Sequence, residues 1–303
     1  MKTALTIGNF DGVHKGHRAL VDVLRDWRSN QVEPDSIKTM AMTFEPHPRE
    51  VLSGKPVERL CTSHERSQRL QRAGIDEVRL IAFSKEYATI PAIEFFEKHV
   101  VGSHNVAFIA VGYNFYFGHN REGTPEKILE WSKEKGIQAK LVKGIEADGE
   151  TISSTRIRKL IASGHLPAAS RLLGRDYSIS GEVEQGDQRG RLLGFPTANL
   201  YPSSGKIGDL CMPATGVYLT TCTIVEEGRS FPSVTNVGFK PTIGENKPFC
   251  IESHVLGFQG NLYGKLITVE FKDRIRSEKK FDSLDALKLQ IQEDIEIAKG
   301  RIV

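Results

Sequence analysis

His14 and His17 stand three residues apart in GNFDGVHKGH, residues 8–17, beside Asp11 and three glycines. On a helix that spacing turns two imidazoles to one side. An apolar run at 4–7 precedes the stretch, and Ala19, Leu20, Val23, Leu24 and Trp27 follow it along one helical face. The pattern predicts a strand running into Gly8 and a helix starting after His14. A helix amino end offers unpaired N–H groups and the positive end of its dipole, so it attracts anions, phosphate above all. Gly16 removes the side chain that would stand between a ligand and the backbone. A polyphosphate attacked at its α-phosphorus gains charge on non-bridging oxygens and on the departing pyrophosphate, and imidazole N–H groups can donate to both. Two plainer alternatives stand beside this one: histidines that satisfy backbone groups, or a metal pair with a third ligand elsewhere. The stretch has neither the glycine spacing of a dinucleotide fingerprint nor the Gly-Lys-Ser/Thr ending of a Walker loop.

A second cluster, ISSTRIR at 152–158, supplies the hydroxyls of Ser153, Ser154 and Thr155, free N–H groups at a helix start, and Arg156. It reads as another anion cradle, or as an ordinary N-cap with a solvated arginine. Two such cradles in one α/β domain favour a nucleotide site. A third stretch, GRLLGFPTANL at 190–200, places Thr197 and Asn199 after a loop made by Gly190, Gly194 and Pro196. Neutral oxygens of this kind suit magnesium carried on ATP phosphates, although a Gly/Pro turn between strands has the same composition. Glu252, in CIESHVLGF, reads by itself as a strand-edge carboxylate.

The elements that must hold these residues change character along the chain. Short buried strands are expected at 4–7, 39–44, 78–83, 106–111 and 139–142, separated by helices, so residues 1–164 predict a parallel sheet covered on both faces. Thr62 with Glu65, and Thr124 with Pro125, mark helix starts, and Gly74 and Gly136 mark ends. Ligands on such sheets gather at the carboxyl ends of the strands. Residues 165–175 are read as a linker containing a short Pro167-started helix that ends at Gly174. Residues 176–303 are close-spaced strands with turn signals at EEG and NLYG, which predicts an antiparallel barrel or sandwich. A final helix over 283–300 puts Leu284, Leu287, Ile291 and Ile295 on one face.

Composition bounds the function. The 303 residues carry 41 basic and 38 acidic side chains, a net charge of +3, with no basic block, so nucleic-acid binding is not indicated. Cys61, Cys211, Cys222 and Cys250 form no CxxC pair, which predicts reduced thiols and a cytoplasmic protein. No run approaches membrane-spanning length, and no membrane partner is expected. A monomer or weak homo-oligomer is expected.

Taken in order, GNFDGVHKGH, TFEPHPREVL, ISSTRIR, GRLLGFPTANL, TNVGFKPT, ESHVL and DRIRSEKKF resemble the bacterial bifunctional riboflavin kinase/FMN adenylyltransferase family, over nearly the whole chain. The resemblance implies a Rossmann-like α/β nucleotidyltransferase domain followed by an antiparallel β-barrel flavokinase domain with a C-terminal helix. It implies two reactions: riboflavin with ATP to FMN, then FMN with ATP to FAD. His14, His17 and Arg156 would act on the polyphosphate, with Gly8, Phe10, Gly16, Ser153, Ser154 and Thr155 around ATP. Thr197 and Asn199 would contact magnesium-bound ATP, and Glu252 would orient the riboflavin hydroxyl and accept its proton. Asn114 and Arg276 would face flavin, Arg276 having a pair with Glu278 as its plainer alternative. The chain departs from the family pattern at Asn114, where an acid is usual, and at Tyr116, where an arginine is usual; Arg121 is nearby. Gln185 and Gly257 replace a common histidine and a common aspartate. A riboflavin kinase with a weakened adenylyltransferase half, or a non-catalytic flavin-binding regulator, are the alternatives to a bifunctional enzyme.

Overall fold

The computed structural model describes residues 1–102, 104–186, 190, 193–202, 209–239 and 249–301. The chain divides into two compact units, one formed by Met1–Val57 with Ser63–Ser154, the other by Glu58–Thr62 with Thr155–Val303.

In the first unit five parallel strands, β1 (Lys2–Ile7), β2 (Ile37–Glu45), β3 (Glu77–Ala82), β4 (Val106–Gly112) and β5 (Gln138–Val142), lie in the order β3-β2-β1-β4-β5. All five positions were legible as short strands, but only β1, β2 and β4 are buried as expected; the edge strands β3 and β5 have one side uncovered and no fully buried residue. Alternation along them feeds two cores. Leu5, Ile7, Met40, Met42, Ile109 and Val111 face one side, where Phe95, Phe96 and Ile128 cover them. Ala4, Ala41, Phe108 and Ala110 face the other, under Leu20, Val21 and Leu24 of α1 (Lys15–Ser29) and Leu70 of α3 (Ser63–Ala73). The short α2 (Pro48–Ser53) follows β2, and α4 (Ala92–Glu94) continues as a π-helical stretch, Phe95–Val101. Thr124 caps α5 (Pro125–Glu134) by accepting from the Lys127 N–H, as its sequence signal predicts. The sheet order reverses between β1 and β4, so the crevice for a ligand opens at their carboxyl ends, at Gly8 and Gly112. The two-residue strands β6 (Glu146–Ala147) and β7 (Glu150–Thr151) form a hairpin before α6 (Ser154–Ala162).

The second unit is a closed antiparallel barrel of β8 (Tyr177–Glu184), β9 (Ala198–Pro202), β10 (Gly216–Ile224), β11 (Arg229–Phe239), β12 (Phe249–Val255) and β13 (Leu266–Ser277), ordered β10-β11-β12-β9-β8-β13. Its interior mixes Tyr177, Tyr218 and Phe271 with buried hydroxyls. The Thr220 hydroxyl lies 2.7 Å from those of Ser233 and Thr235, and Thr235 donates to Ser253 over 3.0 Å. Residues 165–175, read as a linker, contain α7 (Leu166–Leu173), whose Leu166, Ala169, Leu172 and Leu173 are buried. That apolar face packs against β13 and β8, so α7 belongs to the barrel unit. The last helix, α8 (Leu284–Arg301), covers Val217, Leu219 and Val234 with Ile291, Ile295 and Ala298. The expected face is correct, but Leu284 is 69% exposed. It lies about 10 Å along the axis before Ile291, ahead of the covered strands.

Candidate active sites

The strand-to-helix turn at 8–14 is tightly wound. Phe10 and Val13, at φ 49° and 44°, and Gly12, at 81°, all adopt left-handed backbone. For the two non-glycine residues this costs about 1–3 kcal/mol each, and it persists because both are buried in the α1-side core. His14 caps α1, its Nδ1 accepting from the His17 N–H at 3.4 Å. An accepting Nδ1 leaves the His14 proton on Nε2. The two imidazoles do share a side, as their spacing predicts, and they stack with centroids 3.6 Å apart. Gly16 serves this stack: a β-carbon there would stand 3.2 Å from the His14 ring. The glycine thus makes room for a histidine ring. Burial, His14 and Arg66 together hold His17 well below the ordinary imidazole value of 6.5, so it is neutral at physiological pH. Its Nδ1 is buried without a hydrogen-bond partner among the described residues.

The second cluster meets the first within this unit. Ser154 Oγ donates to the Asp11 carbonyl at 2.9 Å, and the Ile152 carbonyl lies 3.7 Å from where a Gly16 β-carbon would be. Ser153 is half-buried just before α6. Thr155 and Arg156 follow in the first turn of that helix, beyond the division between units. At the carboxyl end of β4, Asn114 Oδ1 sits 3.5 Å from the β-carbon position of Gly112. The Arg121 guanidinium lies 4.9 Å from the centre of the Tyr116 ring. Asn120 and Arg121 are both left-handed, at φ 50° and 60°. A cation therefore stands over the tyrosine that departs from the family pattern.

On the barrel, strand register assembles a row that sequence spacing hides. Asn199 pairs with Glu252, Glu252 with Asn236, Asn236 with Val217, and Val217 with Arg276. Paired positions share a face, and here it is the face opposite the buried hydroxyls. Asn199 stands in β9, a strand that the sequence reading did not assign, and its Oδ1 is buried without a partner among the described residues. Phe195 N donates to the Gly190 carbonyl at 2.8 Å, and a β-carbon on Gly190 would lie 3.4 Å from Thr197 Oγ1. His254, which gave no functional signal, has Nδ1 2.8 Å from the Pro196 carbonyl and so ties the 195–197 segment to β12. Since that carbonyl only accepts, Nδ1 carries the proton. Arg276 is paired, but with Asp294 of α8 and not Glu278: Nε lies 2.8 Å from Oδ1 and Nη2 2.8 Å from Oδ2. Arg191 and Leu192 of the 190–200 motif, and residues 240–242 of TNVGFKPT, lie outside the described residues.

A sequence family described as FAD synthetase matches residues 1–156, and one described as riboflavin kinase matches 173–302. The bifunctional riboflavin kinase/FMN adenylyltransferase of Pseudomonas fluorescens is 34% identical, with 97% of this chain and 91% of that one covered. The chain belongs to the bifunctional riboflavin kinase/FMN adenylyltransferase family. The enzyme of the same description from Escherichia coli strain K12 is 37% identical over 96% of this chain and 90% of its own length. A solved chain described as a macrolide-efflux protein from Streptococcus pneumoniae has the same fold, with TM-score 0.86 at 30% identity over 98% of this chain and 94% of that one. No helix among the described residues is long and apolar enough to cross a membrane. As a family member the chain phosphorylates riboflavin to FMN and adenylylates FMN to FAD, each with ATP.

Sequence reasoning missed Arg66, buried on α3 beside Leu70. Its signal was an arginine four residues before a core leucine on the inward helical face.

Proposed function

We propose that residues 8–17, with Ser153 and Ser154, are the adenylyltransferase site, and that Thr197, Asn199 and Glu252 are the kinase site. The observation that carries the first assignment is the stacked His14–His17 pair at the start of α1, at the sheet's switch point. There the FMN phosphate oxygen attacks the α-phosphorus of ATP, the bond to the bridging oxygen breaks, and pyrophosphate leaves. Charge grows on the α-phosphate oxygens and the leaving group. The imidazoles answer it as N–H donors, His17 in its neutral form, with the α1 amino end behind them. Gly8, Phe10 and Gly16 shape the turn around the nucleotide, and Asn114 with Arg121 faces FMN.

In the barrel, the riboflavin hydroxyl attacks the γ-phosphorus, its proton passes to the Glu252 carboxylate, and ADP leaves. The magnesium of MgATP would be held by Thr197 Oγ1 and Asn199 Oδ1, where it would neutralise charge on the phosphates. The orphaned, buried Asn199 Oδ1 fits that demand for a neutral oxygen ligand. Arg276, its edge occupied by Asp294 and one face over the Phe281 ring at 5.8 Å, would offer a flavin ring its other face. The four cysteines are buried and form no disulfide among the described residues, which supports a cytoplasmic location.

The test is one incubation with riboflavin, MgATP and separation of the three flavins. His17→Ala should cut FAD formation about 100-fold or more while FMN formation continues, in line with the loss of one oxyanion donor. Glu252→Gln should stop FMN formation and still convert supplied FMN to FAD. Equal loss of both activities in either variant would overturn the assignment.

A further inference from the structure

We infer that Arg66 is a positioning residue for adenylyl transfer, its guanidinium fixing the turn that carries His14 and His17. The inference rests on reading residues 8–17 as the adenylyltransferase site. Arg66 is 3% exposed. Burying a guanidinium costs several kcal/mol unless its donors are matched; Nε has no partner among the described residues, so the partners of Nη1 and Nη2 show what its position serves. Nη2 donates to the Phe44 carbonyl at 3.0 Å and to the Glu45 carboxylate at 2.9 Å. Nη1 donates to the Asn9 carbonyl at 3.2 Å, which also receives the Thr43 hydroxyl at 3.1 Å.

Phe44 and Glu45 end β2, and Asn9 is the residue after Gly8 in the turn leaving β1. One rigid, planar group therefore spans the carboxyl ends of two neighbouring strands and holds the first carbonyl of the turn. The next residue, Phe10, is left-handed, as is Val13, and His14 follows directly. A turn under that strain relaxes if its first carbonyl is released, and His14 and His17 would move with it. The same guanidinium contributes to keeping His17 neutral. A lysine could supply the charge, but it lacks the fork that reaches Asn9 and Phe44 together.

The full chain serves as its own control, because riboflavin phosphorylation uses different residues. Arg66→Met, Arg66→Lys, Glu45→Gln and His17→Ala are assayed for both activities, with kcat and KM resolved for FMN adenylylation. Arg66→Met should lower adenylylation kcat about 10- to 100-fold, the scale of a small displacement of catalytic groups. KM for FMN should change less than about twofold, and phosphorylation should be unaffected. Arg66→Lys should recover part of the loss, and Glu45→Gln should lose a smaller part of kcat. A kcat within twofold of the parent in Arg66→Met, a lysine variant no better than methionine, or a parallel fall in both activities would each overturn the inference. If Arg66→Met does not fold, the other two decide: a selective fall in adenylylation in Glu45→Gln supports it, and parental kcat in both Arg66→Lys and Glu45→Gln overturns it. If His17→Ala lowers FAD formation and Arg66→Met does not, the inference alone fails. If His17→Ala has no effect, the site assignment fails and takes the inference with it.

Discussion

Asp294→Ala should loosen the barrel and leave the α/β unit intact. Asp294 is 2% exposed and takes three contacts of 2.8–3.1 Å from Nε and Nη2 of Arg276. Removing one partner of a fully buried pair costs about 3–5 kcal/mol, mostly because the remaining charge is left without a counterion. The Arg276 side chain is 21% exposed, so water reaches it and the cost falls to the bottom of that range or just below it, about 2–3 kcal/mol. For a unit of this size the shift in Tm is about 2–4 °C per kcal/mol, or roughly 5–10 °C in all. The assay is residual activity after timed heating, with riboflavin phosphorylation reporting the barrel and FMN adenylylation in the same sample reporting the other unit. A companion double variant, Asp294→Leu with Arg276→Met, should recover most of the lost Tm, read from its thermal unfolding transition because Arg276 is placed against the flavin, since an apolar pair of similar volume is often neutral in place of a buried ion pair. A fall of phosphorylation Tm under about 1 °C in Asp294→Ala would refute the reasoning. So would a double variant as unstable as the single one.

Acid should weaken the α/β unit through His17. Its folded pKa lies below the ordinary 6.5, so the unfolded chain binds the proton more readily. The stability held by neutral His17 is complete above about pH 6.5 and is lost as pH falls from there through the depressed folded value. Denaturant unfolding between pH 7 and 5 should show less acid sensitivity in His17→Gln, and an unchanged slope would contradict the shift. Asn114→Asp with Tyr116→Arg should raise kcat/KM for FMN adenylylation and spare phosphorylation if a bidentate arginine grips phosphate better than the existing Arg121. An unchanged or lower value would show that Arg121 over Tyr116 already provides the charge.

The central strands β1, β2 and β4 were legible because each is buried on both faces and reads as a nearly continuous apolar run, whereas the edge strands β3 and β5 are half-exposed and were legible only from their short apolar stretches. β9 was not: Asn199, Tyr201 and Pro202 look like loop, and only pairing with β8 and β12 makes them a strand. The histidine pair was legible because helical spacing is local. The row from Asn199 through Glu252 and Asn236 to Arg276 was not, because cross-strand neighbours are set by register between segments far apart in the chain. Arg276 could be recognised as a residue in need of a partner, but the choice between Glu278 and Asp294 depends on where α8 lies. Arg66 was hidden for a different reason: a charged side chain at a helix start reads as solvated until packing shows it enclosed.

The buried hydroxyls of the barrel also guard its alignment. Side chains alternate between the two faces of a strand, so a one-residue slip of β11 against β10 would turn Thr235 outward and bring Val234 or Asn236 in. Thr220 would then lose both Ser233 and Thr235, leaving a buried oxygen unmatched at a cost of about 1–3 kcal/mol. A purely aliphatic interior would tolerate such a slip far better, since any apolar neighbour substitutes for another. The same slip would carry Glu252 and Asn199 off their shared face if it spread to β12 and β9. Four small hydroxyl side chains on the opposite face thus keep the carboxylate and the amide on one side of the wall during folding.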